Sequence, residues 1–342
     1  MKKLLNVLFV TLPDVFVNLD ADNVCVKKDE KILLRIPLLN LEQLVLFNYF
    51  GATPQLLAAC AKRNITVSFL SASGRFLGTF CGESRGNVLL RKEQYRISDS
   101  ERTVAFAKNF IFGKLHNQRW VLERALRDHS LRVNTEQLTK TSRFVTEQHR
   151  QVLSCNRVDI LRALEGNAAH VYFSAFDELI LQNKDFFVFK NRNRRPPTDP
   201  VNALLSFTYT LLASDCRHAL EAVGLDSYVG FLHTDKPGRA SLALDLMEEL
   251  RPHFADRFVL SLINRSEMKE TDFETQGSGA VLLSEAARKR FLAAWQQRKK
   301  DEINHPFLKE KVEWGLVPYV QALLLARTIR GDLEAYPPFL WK

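Results

Sequence analysis

Residues 98–127 read SDSERTVAFAKNFIFGKLHNQRWVLERALR, and they divide the chain into two parts of different character. Ser98 and Glu101 have the S-x-x-E spacing of a capping box, which predicts that a helix begins here. Apolar side chains then recur at helical spacing and form one stripe, which consists of Val104, Ile111, Leu115 and Leu122. The stretch therefore predicts an amphipathic helix that ends near Arg127 and packs against other elements through this stripe.

The residues before this helix have the pattern of β-strands. Short apolar runs rich in β-branched and aromatic residues recur up to about residue 85, and only TPQLLAACAKR has helical length and composition. After residue 97 helical patterns dominate. We therefore predict an α+β protein with a small N-terminal β domain at 1–85, a linker at 86–97 and a larger, all-helical catalytic domain at 98–342.

Three segments of the helical part bear on function. The stretch TSRFVTEQHRQVLSCNRVDILRALEG predicts one long helix, which Gly166 closes or interrupts. Residues 190–202, KNRNRRPPTDPVN, combine prolines with basic residues and predict an exposed loop. A shorter helix, SLALDLMEELRP, follows, with Ser241 at its N-cap and Pro252 at its end.

Composition narrows the class of protein. The chain has 342 residues and a net charge of +9, from 48 Lys and Arg against 39 Asp and Glu, which favours a polyanionic partner such as nucleic acid. No apolar run reaches the roughly 18 residues that a membrane-spanning helix needs. Five cysteines without a C-x-x-C pair predict buried thiols, a cytoplasmic location and no structural zinc.

Residues 230–252, GFLHTDKPGRASLALDLMEELRP, concentrate the ligand types that divalent metals prefer. His233 precedes a turn, and three acidic residues share one stripe of the next helix because they are spaced i, i+3 and i+4: Asp245, Glu248 and Glu249. A cation between these carboxylates would turn their repulsion into attraction. The alternative is a solvated helix face beside an ordinary hydrogen-bonded histidine, and spacing alone does not decide.

Glu165 supplies a further acidic group. If Gly166 ends its helix, Glu165 lies in the last turn, where the helix dipole disfavours an anion unless a cation is bound. The alternative is an exposed glutamate in solvent. Together with His233 and Glu248, Glu165 would form a site of one imidazole and two carboxylates, which suits Mn²⁺ or Mg²⁺ and would polarise a phosphodiester.

Basic side chains surround these residues in the sequence. We expect them to contact DNA phosphates, with an affinity that falls steeply as the salt concentration rises. The candidates are Arg162, Arg192, Arg194, Arg195, Lys236 and Arg239. Solubilising surface charge is the alternative. The basic clusters at 287–290 and 297–300 are interpreted as a solvated helix face.

Three motifs, in this order, resemble the CRISPR-associated spacer integrases, the larger of two universal adaptation proteins. They are LEGNAAHVYF with Glu165, PPTDPVNALLSFTYTLL with Asn202 and Tyr209, and GFLHTDKPGRASLALDLMEELRP with His233, Asp245 and Glu248. The strand-then-helix organisation extends the resemblance over essentially the whole chain. The closing GDLEAYPPFLWK is most similar to the I-C subtype.

The resemblance implies a metal-dependent DNA endonuclease and integrase. It implies Mg²⁺ or Mn²⁺ bound by Glu165, His233 and Glu248, with Asp245 as an acidic catalytic neighbour. Asn202 and Tyr209 join the predicted DNA-binding set, although Tyr209 is alternatively a core aromatic.

The resemblance also implies partners. They are a second copy of the chain, bound largely through the β domains, and a small ferredoxin-like CRISPR adaptation protein. Duplex DNA is the substrate, and its 3′-hydroxyl ends attack the repeat array. A nuclease that only cleaves and a non-catalytic DNA-binding scaffold remain the alternatives.

Overall fold

The computed structural model describes residues 7–29, 31–71, 76–82, 88–194 and 196–342. The chain divides into two compact units. The first unit comprises Met1–Gly86, Glu285–Glu302 and Glu313–Leu316, and the second comprises Asn87–Ser284, Ile303–Val312 and Val317–Lys342. Two segments from the C-terminal part therefore group with the first unit, whereas the sequence assigned all of 98–342 to the helical domain.

The first unit contains two sheets. A four-stranded sheet has the order β1 (Val7–Val10), β5 (Gln43–Leu46), β6 (Thr66–Leu70) and β7 (Phe76–Phe80), in which only β7 runs antiparallel to its neighbour. The second sheet is antiparallel and consists of β2 (Phe16–Asp20), β3 (Asn23–Lys28) and β4 (Lys31–Pro37). Alternating Val and Leu side chains of these strands form the core of the unit.

Helix α1 (Pro54–Lys62) connects the parallel strands β5 and β6. It begins at Thr53, whose hydroxyl accepts a hydrogen bond from the Leu56 amide, and Pro54 occupies its first turn. The predicted N-terminal β region with one helix, TPQLLAACAKR, is thus confirmed. Helix α9 (Glu285–Lys299) also belongs to this unit.

The predicted solvated face of α9 is wrong in part, because two of its basic side chains are buried. Arg288 is buried with its guanidinium 5.4 Å from the centroid of the Phe47 ring, and Lys299 is buried as well. The contact between Arg288 and the Phe47 ring is one that a sequence pattern of charges does not reveal.

The second unit is mostly helical. Its helices are α2 (Val88–Ser98), α3 (Thr103–His129), α4 (Thr135–Ser154), α5 (Val158–Ser174), α6 (Pro200–Val223), α7 (Ser241–Arg251), α8 (Arg257–Asn264) and α10 (Val317–Arg330). Helix α3 packs against α4, α5 and α7, and α6 packs against α7 and α10. A π-helical turn at Pro252–Asp256 joins α7 to α8, so Pro252 does not end the helical path.

Several local predictions for this unit need correction. Helix α3 begins at Thr103 without a side-chain cap, and Ser98 is the last residue of α2, so the predicted capping box is absent and a helix occupies most of the predicted linker. The unit is not all-helical, because β8 (Phe273–Thr275) and β9 (Val281–Leu283) form a short hairpin. Two more three-residue strands are β10 (Glu302–Asn304) and β11 (Lys311–Glu313).

The prediction of one long helix that ends at Gly166 is also wrong. It divides at Cys155, where the backbone is extended, and α5 continues through Gly166. Gly166 is tolerated inside a helix that is held by packing. Glu165 therefore lies in the middle of α5, and the argument from the end of a helix dipole does not apply.

No helix in the described ranges has both the length and the apolar composition to cross a bilayer.

Candidate active site

A lysine lies between the two glutamates that were predicted as metal ligands. The Lys114 ammonium, on α3, makes an ion pair with Glu165 of α5 and lies 2.6 Å from Oε2 of Glu248 on α7. The Lys114 side chain is 1% exposed, and those of Glu165 and Glu248 are 26% and 5% exposed. Three helices thus bring two acidic groups to one buried cation.

A second cation completes the environment of Glu248. The Nη2 atom of Arg251, one turn later on α7, lies 2.8 Å from Oε1 of Glu248. Burial alone would raise the pKa of Glu248, but Arg251 and Lys114 outweigh it and lower the pKa to about 2. Burial likewise opposes the charged form of Lys114, whereas Glu165 and Glu248 raise its pKa. Glu248, Lys114 and Arg251 are therefore ionised at neutral pH.

His233 is oriented by Asp245. Its Nδ1 atom lies 2.6 Å from Oδ1 of Asp245, which is fully buried in the middle of α7. Asp245 also accepts hydrogen bonds from the backbone amides of Phe231, Leu232 and His233. With Nδ1–H donating to this carboxylate, Nε2 keeps its lone pair for another partner.

The loop before α7 is held in place on two further sides. The Arg162 guanidinium donates to the carbonyl of Leu232 at 2.7 Å. Gly230 packs so closely that a Cβ atom there would lie 2.8 Å from Cβ of Ser241 and 2.9 Å from Oδ2 of Asp245. The backbone of this loop therefore fits only a residue without a side chain at position 230.

The predicted metal ligands are only partly brought together. Glu165 and Glu248 meet at Lys114, and His233 also contributes to lowering the pKa of Glu248, which places its ring within electrostatic reach. Across the described ranges, however, no three Asp, Glu, His or Cys side chains are grouped so that they could hold one ion. The ligand set therefore stays a prediction.

The acidic stripe of α7 is not a solvated face. Asp245, Glu248 and Glu249 are all buried, so that alternative is wrong. Glu249 binds the C-terminal segment instead: it accepts hydrogen bonds from the Tyr336 hydroxyl, from Gln321 and from the Phe339 amide. Burial raises its pKa to about 7. The three acidic groups thus serve three different purposes.

Asn202 organises the basic loop. Its amide donates to the Asn191 carbonyl and to Asp199, and its oxygen accepts from the Asn193 amide and from the Arg192 guanidinium. The residue is fully buried. A direct DNA contact by Asn202 does not fit this position, because its hydrogen-bonding groups already hold the loop.

Tyr209 links this loop to the glutamate pair. The guanidinium of Arg192 lies 5.2 Å from the centroid of its ring, and that of Arg251 lies 4.6 Å away. The Tyr209 hydroxyl donates to Asp256, which also accepts from Tyr172. Burial raises the pKa of Asp256 to about 6. A cation–π arrangement of this kind holds both arginines on one ring, and Arg251 in turn contacts Glu248.

The remaining basic candidates differ in exposure. Arg194 and Lys236 are exposed, Arg239 is half-buried, and Arg192 is half-buried through its contacts with Asn202 and Tyr209. Arg195 lies outside the described residues. The exposed side chains are free to approach a phosphate backbone, so their DNA-binding role stays a prediction.

Lys114, Arg251 and Asp256 were missed from the sequence. Lys114 did give a signal, because it lies three residues after Ile111 and therefore on the apolar stripe of α3. A charged residue on such a stripe needs a buried partner. Arg251 follows Glu248 at the i, i+3 spacing of an ion pair, whereas nothing in the sequence distinguished Asp256.

Known sequences that are similar to this chain belong to one protein family. A sequence model of the family described as "CRISPR associated protein Cas1" matches residues 8–297. A protein of Rhodospirillum rubrum named CRISPR-associated endonuclease Cas1 2 is 49% identical over 346 residues, which covers 100% of both chains. A protein of Chlorobaculum tepidum named CRISPR-associated endonuclease Cas1 1 is 46% identical, again over 100% of both chains.

Solved structures share the fold. A chain of a Cas6-RT-Cas1–Cas2 complex is similar with a TM-score of 0.84 and 27% identity; the match covers 100% of this chain and 36% of that longer one. A CAS1 protein from Thermotoga maritima matches with a TM-score of 0.82 and 20% identity, over 96% of this chain and 98% of the other. The second match shows likeness of fold alone.

Proposed function

The chain belongs to the Cas1 family of CRISPR-associated proteins, and from this premise we propose that its second unit uses a divalent metal to break and join phosphodiester bonds in DNA. The enzyme is a DNA endonuclease and integrase of CRISPR adaptation. The observation that carries the site assignment is the convergence of Glu165 and Glu248 on one cation position, beside a histidine held by Asp245.

The donor set fits Mg²⁺ or Mn²⁺. Two carboxylates that already share a cation and an imidazole with a free Nε2 are oxygen-rich and contain no thiolate, which suits these ions. Glu165, His233 and Glu248 would hold the metal, and Asp245 would hold His233 and not the ion. A bound metal supplies stabilisation of charge on the phosphoryl group and lowers the pKa of a hydroxyl nucleophile.

The protein's own residues position DNA around this centre. Arg194, Lys236 and Arg239 approach the phosphate backbone from the surface, while Arg192 and Arg162 hold the loops from which those residues project. Asn202 acts indirectly through the same loop, and the ring of Tyr209 keeps Arg192 and Arg251 in place. Arg195 would add a phosphate contact. Strand joining follows when a DNA 3′-hydroxyl is the nucleophile, and cleavage when water is.

The first unit offers a surface for a second copy of the chain. Its strand β4 exposes adjacent apolar side chains, with Ile32 53%, Leu33 49% and Leu34 39% exposed. Exposed apolar side chains in a row on a strand are typical of an interface. We propose a homodimer through this sheet, with its edge strand β4 at the centre of the interface.

The partners and the setting are likewise proposals. A Cas2 protein and duplex DNA are the partners, and the similarity to a chain of a complex that contains Cas2 supports the first. We further propose the I-C subtype from the closing motif. A cytoplasmic location is supported by five cysteines that form no disulfide among the described residues, of which Cys81 alone is exposed.

The test is strand transfer of a labelled duplex into a supercoiled plasmid that carries a repeat, with Mn²⁺. His233→Ala and Glu248→Gln should abolish joining, because each removes a metal ligand. Glu267→Gln, an exposed glutamate outside the site, is the matched control and should join DNA like the wild type. Undiminished joining by His233→Ala or Glu248→Gln would refute the ligand assignment.

The same assay separates the two alternatives. A nuclease that only cleaves would give cut products and no joined ones. A non-catalytic scaffold would bind duplex DNA with the same affinity in chelator as in Mn²⁺ and give neither product. The family membership and the pairing of Glu165 and Glu248 with one buried cation favour the integrase over both.

A further inference from the structure

The charge balance around Glu165 and Glu248 includes a buried cation to which the proposed reaction assigns no role. Lys114 is buried, has no other acidic partner than Glu165 and Glu248 among the described ion pairs, and occupies the space between their carboxylates. A solvent-exposed lysine would exchange such contacts freely, but a buried ammonium cannot lose both anions without a large electrostatic cost. Any metal that binds these oxygens must therefore compete with Lys114.

The net charge of the site follows from the charged side chains of Glu165 and Glu248 and of the residues that contact them or His233. Three carboxylates, those of Glu165, Glu248 and Asp245, face two cations, Lys114 and Arg251. With His233 neutral, the net charge is −1, and a divalent ion makes it +1. One DNA phosphate would restore neutrality. In a site without the Lys114 charge, the protein alone would neutralise the ion.

We propose that Lys114 is a built-in counter-ion which makes tight binding of the divalent metal depend on DNA. This inference rests on the metal site proposed above. Before DNA arrives, Lys114 keeps Glu165 and Glu248 together and neutralises them, so the metal binds weakly. A phosphate from bound DNA supplies the missing negative charge, and the metal and the substrate then stabilise each other. Lys114 is a positioning residue, because it acts through the carboxylates and not on the DNA.

Two observations set Lys114 apart from an ordinary buried ion pair. It contacts both predicted ligand carboxylates at once, and Glu248 already has a second cation in Arg251, so Lys114 is not needed to neutralise Glu248. The long, flexible stem of a lysine also allows its ammonium to move aside, which the rigid fork of an arginine permits less readily.

The experiment measures Mn²⁺ binding to the full chain by electron paramagnetic resonance of the free ion, with and without a short duplex and with the duplex alone as a blank. Wild-type protein should bind Mn²⁺ at least about tenfold more tightly with DNA, and by linkage DNA should bind more tightly with Mn²⁺ by the same factor. Lys114→Met, which keeps most of the side-chain volume, should bind Mn²⁺ at least about tenfold more tightly than wild type without DNA, and should gain less from DNA.

Matched variants distinguish charge from damage. Lys108→Met changes a lysine of the same helix whose ammonium donates to the Leu153 carbonyl and to Asn156, and it should behave as wild type. Lys114→Arg keeps the charge, so its affinity for Mn²⁺ without DNA should stay as weak as that of the wild type. If Lys114→Met fails to fold, the wild-type comparison and Lys114→Arg still test the proposal.

The outcomes separate this inference from the proposed function. Equal Mn²⁺ affinity of the wild type with and without DNA, or no gain in affinity by a folded Lys114→Met, overturns the role of Lys114. Glu165→Gln and Glu248→Gln should both weaken Mn²⁺ binding. If they do so while Lys114→Met is unchanged, the metal site stands and only the counter-ion role falls. If they do not, the metal site itself is wrong.

Discussion

The Nδ1 atom of His233 lies 2.6 Å from Oδ1 of Asp245, and this contact joins a loop to the helix that follows it. The Asp245 carboxylate accepts three backbone amides of the same loop in addition to the imidazole. A carboxylate with four donors is held in one orientation, and it fixes the tautomer of the histidine. Asp245 therefore acts on the site through His233.

Asp245→Asn should disable this arrangement. An asparagine amide cannot accept four donors at once, so the His233 ring loses its fixed tautomer and orientation. We expect Mn²⁺ affinity and strand joining to fall by about 10- to 100-fold, as for other partners of metal-binding histidines. The affinity is measured by titration with Mn²⁺ and the joining with the labelled duplex. Asp235→Asn, an exposed aspartate of the same loop, is the control, and equal losses in both variants would contradict the assignment.

The sequence predicted the acidic residues of α7 but not their separate purposes. The i, i+3, i+4 spacing correctly placed Asp245, Glu248 and Glu249 on neighbouring positions of one helix. Their burial depends on α3, α6 and α10, which come from distant parts of the chain. Spacing therefore cannot show that one carboxylate holds a histidine, another a lysine and the third the C-terminal segment.

The fold was predictable where local patterns are strong. The alternating apolar runs of the first unit and the apolar stripe of α3 both rest on periodicity that burial then satisfies. The return of Glu285–Glu302 to the first unit depends on contacts between residues far apart in sequence, for which no local signal exists. The break at Cys155 was misplaced at Gly166, because a glycine marks a helix end only when packing does not hold the helix.

Replacement by alanine should change the free energy of unfolding in opposite directions at Gly230, in the loop of His233, and at Gly166, next to Glu165. At Gly230 the new Cβ would lie within 3.0 Å of Ser241, Asp245 and the His233 carbonyl, so Gly230→Ala should lower the free energy of unfolding by about 1–3 kcal/mol. At Gly166, inside α5, a Cβ meets no atom within 4 Å, and Gly166→Ala should raise it by about 0.5–1 kcal/mol. Urea denaturation of both variants measures the difference, and a stable Gly230→Ala would show that the loop can move.

Arg194 and Lys236 should contribute to DNA affinity through phosphates alone. Both are exposed, so replacing either by alanine should leave stability unchanged, weaken binding of every duplex sequence alike and reduce the slope of log affinity against log salt by about 1. Fluorescence anisotropy at several salt concentrations gives the slope. Lys300→Ala, an exposed lysine at the end of α9, should leave the slope at the wild-type value. A slope that is unchanged in Arg194→Ala and Lys236→Ala would place the DNA elsewhere.

His305 should make the protein sensitive to acid. The residue is fully buried, its Nδ1 accepts the backbone amides of Phe307 and Leu308, and its Nε2 contacts the side-chain oxygen of Gln321. Because Nδ1 already accepts these amides, the ring cannot take a second proton without breaking them. Burial lowers the pKa of His305 from 6.5 to about 4.

The sign of the effect follows from where the proton binds. Below pH 6.5 His305 takes up a proton in the unfolded chain, whereas in the folded protein it does so only near pH 4. The free energy of unfolding therefore decreases as the pH is lowered from 6.5 to 4. The loss attributable to His305 is on the order of 3 kcal/mol. Urea denaturation between pH 8 and 4 should show it, and His305→Asn should flatten the profile by that amount. Replacing the exposed His129 by asparagine is the control and should not flatten the profile. Parallel profiles for wild type and His305→Asn would mean that His305 is protonated in the folded protein.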